Sequence, residues 1–117
     1  MLKKLDTSEA NILEYHIKGN ISKAENDMLL RDIQHTIDKF GEVKLLVKLD
    51  DIPLTDASGL KDRLVFAKEH LDKIERYAVV TDMKIAKAVK QLVDPLTDME
   101  LETFSPEEEN EARHWLR

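Results

Sequence analysis

The chain has 117 residues, 42% hydrophobic and 36% charged, with a formal net charge of −6 and no cysteine. That length suits a single domain over residues 1–117, and the acidic balance argues against general nucleic-acid binding, which needs a basic face to displace counterions. Without cysteine there is no disulfide, thiol nucleophile or thiolate metal site, as expected of a cytoplasmic protein, and no run has the length of a signal peptide or membrane span.

Leu2 to Leu5 is a short strand candidate, and the polar stretch Asp6 to Asn11 reads as a hairpin connection. In the next run Leu13, Tyr15 and Ile17 alternate with Glu14, His16 and Lys18. That period of two predicts a strand with one buried and one wet face, ended by Gly19 and Asn20. Ser22 then opens a helix, with Glu25 placed to close a capping box. Leu29, Leu30, Ile33, Ile37 and Phe40 form its apolar stripe, and Gly41 supplies the left-handed stop.

Val43 to Leu49 is an apolar run short enough to be a buried central strand. Asp50 to Gly59 follows as an acidic loop and helix start. A second helix is expected with Leu60, Leu64, Ala67, Leu71 and Ile74 on one stripe, its C-terminus favoured by His70 and Lys73. Tyr77 to Thr81 is the next strand. Thr81 or Asp82 caps a third helix with Ile85, Val89 and Leu92 inward, and Pro95 follows it. Met99, Leu101 and Thr103 alternate in a last strand. Ser105, Pro106 and Glu108 then open a final helix anchored by Ala112, Trp115 and Leu116.

The expected architecture is therefore α/β: a mixed five-stranded sheet with four helices, in the order β-β-α-β-α-β-α-β-α. Right-handed crossovers make the later strands parallel. An acidic loop between a central strand and a helix start is where such sheets keep a ligand or partner site. Asp50, Asp51 and Asp56 are carboxylates of the kind that hold Mg²⁺, but a loop cluster of acids more often caps or is solvated, and no metal or other cofactor is expected. His16, His35, His70 and His114 show no metal or acid–base spacing, and no catalytic motif is found. Lys84, Lys87 and Lys90 share one side of the third helix, a local basic stripe suited to an anionic headgroup or acidic partner, or simply to solvent. Met83 and Met99 fit either the edge of a soft apolar pocket or core filling.

Lys44 to Asp50, Glu75 to Asp82, Glu102 to Phe104 and the closing Ser105-Pro106-Glu107-Glu108 to Trp115-Leu116 resemble the SpoIIAA-like family of small bacterial proteins. That family shares its fold with STAS domains, among them the anti-sigma factor antagonists, and with lipid-binding CRAL-TRIO domains. The likeness covers nearly the whole chain and implies fold more than function. Kinship with the lipid binders implies a non-catalytic binding module for a small apolar or lipid-like molecule. Its pocket would lie between the sheet and the second and third helices, near Leu60, Leu64, Ile85 and Val89.

Asp56-Ala57-Ser58-Gly59-Leu60 is similar to the Asp-Ser-Ser-Gly-Leu motif of the antagonists, which departs here at Ala57 and at Lys61. By position this implies an alternative, a protein-interaction switch phosphorylated at Ser58 with Asp50, Asp51, Asp56 and Gly59 in the partner loop. The competing reading of Ser58 is a plain helix cap. The partners expected are thus a small apolar ligand or a protein, with a homodimer also open, and neither nucleic acid nor an integral membrane segment.

Overall fold

The computed structural model of the chain describes residues 1–19, 21–51, 69, 73–93 and 100–117. Five strands form one sheet: β1 (Leu2–Lys4), β2 (Ile12–Lys18), β3 (Val43–Asp50), β4 (Ile74–Val80) and β5 (Leu101–Phe104). They lie side by side in that order, β1 antiparallel to β2 and every later pair parallel, so β3 is central as its apolar run predicts. Among the described residues there are three α-helices: α1 (Lys23–Phe40), α2 (Met83–Val93) and α3 (Glu109–Leu116). The expected helix from Leu60 lies mostly outside the described residues. Its last stripe residue, Ile74, instead begins β4, paired with Val43 and 4% exposed. An apolar residue just before a strand fits both periodicities, and here the ladder claims it.

Local signals set the helix ends. Ser22 Oγ accepts the Glu25 N–H at 3.1 Å while Glu25 Oε1 accepts the Ser22 N–H at 3.0 Å, a closed capping box. Glu25 Oε2 also accepts the Leu2 N–H at 2.9 Å, so the same carboxylate ties β1 to α1. Gly41 ends α1 at φ 86°, a left-handed conformation that costs glycine little. At the other end of the chain Pro106–Glu108 forms one 3-10 turn, and α3 proper starts only at Glu109. Ser105 donates its N–H to Glu108 Oε1 at 2.9 Å.

Side chains alternate across the sheet, so its two faces carry separate cores. On one face Leu13, Tyr15, Ile17, Leu45, Val47, Leu49, Tyr77 and Val79 pack under α1 and α2, which contribute Leu29, Ile33, Ile37, Ile85 and Val89. On the other face Ile12, Leu46, Ala78 and Val80 pack under Ala112 and Leu116 of α3, with Phe104 and Trp115 at the rim. The Phe104 and Trp115 rings sit 6.0 Å apart, and the Arg76 guanidinium lies over the Trp115 ring at 5.2 Å.

The second face overturns the expectation that Glu14 and His16 lie on a wet side. Glu14 is completely buried. Its Oε1 accepts from Thr7 Oγ1 at 2.8 Å and from Arg113 Nε at 2.7 Å, and its Oε2 accepts from Arg117 Nη2 at 3.4 Å. Arg113 also pairs with Glu109 at 2.8 Å, and Glu109 with Lys48 at 3.0 Å. Alternation alone reads the Glu14 side as solvent because the helix that covers it comes almost a hundred residues later. Burial works against the Arg113 charge, but hydrogen bonds and charges from Glu14 and Glu109 outweigh it and hold the guanidinium above its ordinary value.

Truncating Glu14 leaves this cluster short of a buried anion. Glu14→Ala should cost about 3 kcal/mol in urea unfolding, whereas Glu9→Ala, at an exposed pair 3.8 Å from Arg117, should change stability by less than about 1 kcal/mol. Equal effects would show that the buried carboxylate does not hold α3 down.

Acid should act on the same elements. Burial pushes the Glu109 carboxyl up, but Lys48 and Arg113 outweigh it and hold it below 4.5. Backbone N–H donation, from Ser22 to Glu25 and from Ser105 to Glu108, holds those two carboxyls below 4.5 as well. Each folded value lies below the unfolded one, so the unfolded chain takes up more protons as pH falls. The stabilisation is complete above about 4.5 and is lost as pH drops through the folded values. Urea midpoints measured from neutral pH downward should fall in that window, and Glu109→Gln should flatten the slope.

Candidate functional site

The parallel strands deliver their C-terminal ends to one edge of the sheet, where open α/β folds place their sites. β3 ends there at Asp50, whose Oδ2 lies 2.6 Å from His16 Nε2 on β2. The pair is half-buried, so His16 is engaged rather than free on a solvated face. The Asp50 carbonyl accepts the Gly19 N–H at 2.8 Å, and Gly19 takes φ 65° to make that turn. Asp51 next adopts φ 53°, uncommon for a residue with a Cβ. Thr81, 2% exposed, donates its hydroxyl to the Leu49 carbonyl at 3.0 Å and stitches the end of β4 to β3. Asp82 Oδ1 accepts the Ile85 N–H at 3.0 Å and caps α2.

Two of the acidic loop residues, Asp50 and Asp51, therefore stand at this edge, while Asp56, Ser58 and Gly59 lie outside the described residues. No group of three or more carboxylates and histidines suited to a metal occurs among the described residues. Of the four residues expected around an apolar pocket, Leu60 and Leu64 also lie outside them. Ile85 and Val89, 3% and 0% exposed, belong to the core beneath α2.

An open groove lies instead on the outer flank of α2, between it and β5, with a volume of about 290 Å³. Met83, Lys87 and Lys90 of α2 line one wall, and Thr103 and Ser105 the other, with Thr81 also in the lining. Ala86 lines it too, and its small side chain leaves the space open. Met83 is 74% exposed, so it is a lip of the groove and not core filling. Of the basic stripe, Lys87 and Lys90 line it and Lys84 does not. The far wall had no sequence signal, because Thr103 of β5 and Ser105 just after it come to share a groove with α2 only through the fold.

The buried titratable groups elsewhere are committed. Tyr15 Oη donates to Asp32 Oδ2 at 3.1 Å. Burial first, then the Asp32 charge and the hydrogen bond to it, push the phenol far above its ordinary value and keep it neutral. His35 and His114 are exposed on helices, and His70 lies outside the described residues. No helix among the described residues is long and apolar enough to cross a membrane.

A family model described as SpoIIAA-like matches residues 12–117. Comparison with curated proteins finds no match. Among solved structures, the chain is similar to an uncharacterised protein of the DUF3478 family from Shewanella loihica PV-4, which has a SpoIIAA-like fold. The match has a TM-score of 0.68 at 15% identity and covers 100% of this chain and 93% of that one. At that identity the likeness speaks for the fold alone.

The geometry of the edge makes one test direct. Thr81→Val keeps the shape of the side chain but leaves the buried Leu49 carbonyl without its donor. It should cost about 1 kcal/mol and speed amide exchange at the ends of β3 and β4. Unchanged exchange there would show that Thr81 does not join the two strands.

Proposed function

We propose, since the chain belongs to the SpoIIAA-like family and a fold fixes no activity of its own, that it is a non-catalytic binding module for a small apolar or lipid-like molecule. The groove between α2 and β5 is the site we assign, in place of a cavity beneath α2. What carries this reading is the combination of a concave space of about 290 Å³ with an exposed Met83 at its lip and a few polar groups facing inward.

Size narrows the ligand. Small-molecule sites generally span about 300–1,000 Å³, so this groove takes a short molecule or one end of a longer one. Phe104, half-buried and packed against Trp115 on the α3 side, also contributes to the lining. Charge gives no reason to expect nucleic acid, and the lack of cysteine suits a cytoplasmic setting.

Native mass spectrometry of protein purified from cells tests the reading. The expected result is a small bound mass that leaves on denaturation. Ala86→Trp, which fills the groove from an α2 position outside the core, should remove that mass without lowering the melting temperature. A bound mass that survives Ala86→Trp would place the ligand elsewhere. No bound mass, together with no saturable binding of short alkyl probes by calorimetry, would end the reading.

A further inference from the structure

Resting on that reading, we infer that the α2–β5 groove selects ligands by an anionic head, a phosphate or carboxylate group carried on a short apolar body. Lys87 and Lys90 stand three residues apart, neighbours along one helix face, and both line the groove. Neither has a carboxylate within 4 Å among the described residues, whereas Lys48 and Arg113 are both paired. Two lysines without a carboxylate partner among the described residues, lining one small concavity, repel each other, and an anion between them removes that repulsion. The protein as a whole carries −6, so this is a local reversal of sign and not a general basic surface.

The opposite wall completes the recognition. Thr103 presents a hydroxyl that can donate to an anion's oxygens, while the Thr81 proton is committed to the Leu49 carbonyl and the Ser105 hydroxyl to the Glu108 carboxylate. Glu108 also lines the groove and opposes an anion. Its Oε1 accepts the Ser105 N–H, which spends part of that charge on the turn, and two lysines remain against one carboxylate. The apolar body then lies toward Met83, 74% exposed, and Phe104. A cation would meet both lysines, and a neutral alkyl chain would leave them unpaired.

Trp115 is the only tryptophan, and its ring packs 6.0 Å from Phe104, so its fluorescence reports on the groove wall. The full chain is titrated with hexyl phosphate, hexanoate and hexanol, followed by fluorescence and in parallel by calorimetry. Hexyl phosphate should bind saturably and at least about tenfold tighter than hexanol, because a charge-assisted contact is worth roughly that factor. Added salt should weaken it. The exposed pair Lys87→Gln with Lys90→Gln should weaken hexyl phosphate at least about tenfold while sparing hexanol, and the double arginine variant should restore it.

Equal affinity for hexanol and hexyl phosphate, unaffected by the double glutamine variant, would overturn the anionic head and leave the apolar module standing. No binding of any probe would remove both. Flotation with phosphatidylcholine vesicles, with and without phosphatidic acid, distinguishes the source of the head. Flotation that requires phosphatidic acid and both lysines supports a membrane lipid. Hexyl phosphate binding without flotation supports a soluble ester, and either result supports the shared chemistry.

Discussion

A carboxylate with no exposure to water constrains much of this fold. Glu14 lies in β2, next to the central strand, on the face that α3 covers. A buried, unpaired carboxylate is far more costly than any single apolar contact is favourable, so the chain must bring donors to it. Thr7 comes from the hairpin just before it, and Arg113 and Arg117 come from the last helix. The backbone takes part too, since Ser8 Oγ accepts the Glu14 N–H at 2.9 Å. One residue thereby joins the hairpin, the central part of the sheet and α3.

That demand explains how the layers divide. Apolar contacts from Ala112 and Leu116 would hold α3 on the sheet in several rotations. Only a rotation that also directs Arg113 and Arg117 at Glu14, and Glu109 at Lys48, satisfies the charges. Hydrophobic burial supplies most of the attraction here, because it is non-directional and grows with area. The ion network supplies direction. With α3 fixed on one face, α1 and α2 occupy the other, and α2 lies beside a β5 of only four residues. A short edge strand cannot fill the flank of an eleven-residue helix, and the groove is the space left over.

What the sequence revealed follows the range of the forces involved. The Ser22–Glu25 box, the Gly41 stop and the short apolar run of β3 are settled within a few residues, and all were legible. The burial of Glu14 was not, because its covering arginines lie 99 and 103 residues away. Ile74 was misread for a different reason: an isolated apolar residue at a junction serves either period, and pairing with Val43 decides it. Of the residues lining the groove, Lys87, Lys90 and Met83 stood out in the sequence, though not as one site. The far wall, Thr103 and Ser105, carries no local pattern for a groove and becomes meaningful only when β5 lies against α2.

The residues that build α2 into the fold are not those that face the groove. Ile85 and Val89 make its packing with the sheet, and Asp82 caps it. Met83, Ala86, Lys87 and Lys90 are exposed or half-exposed, and nothing in the core depends on them. Beyond those residues the helix could carry almost any polar residues on its exposed surface. Solvation alone would be served by mixed charges, which weaken mutual repulsion. Two lysines with no carboxylate partner among the described residues and a bare methionine around a concavity give up that advantage. The groove is thus the part of this molecule whose composition the packing of α2 does not dictate, and that is the ground on which a ligand site is proposed there.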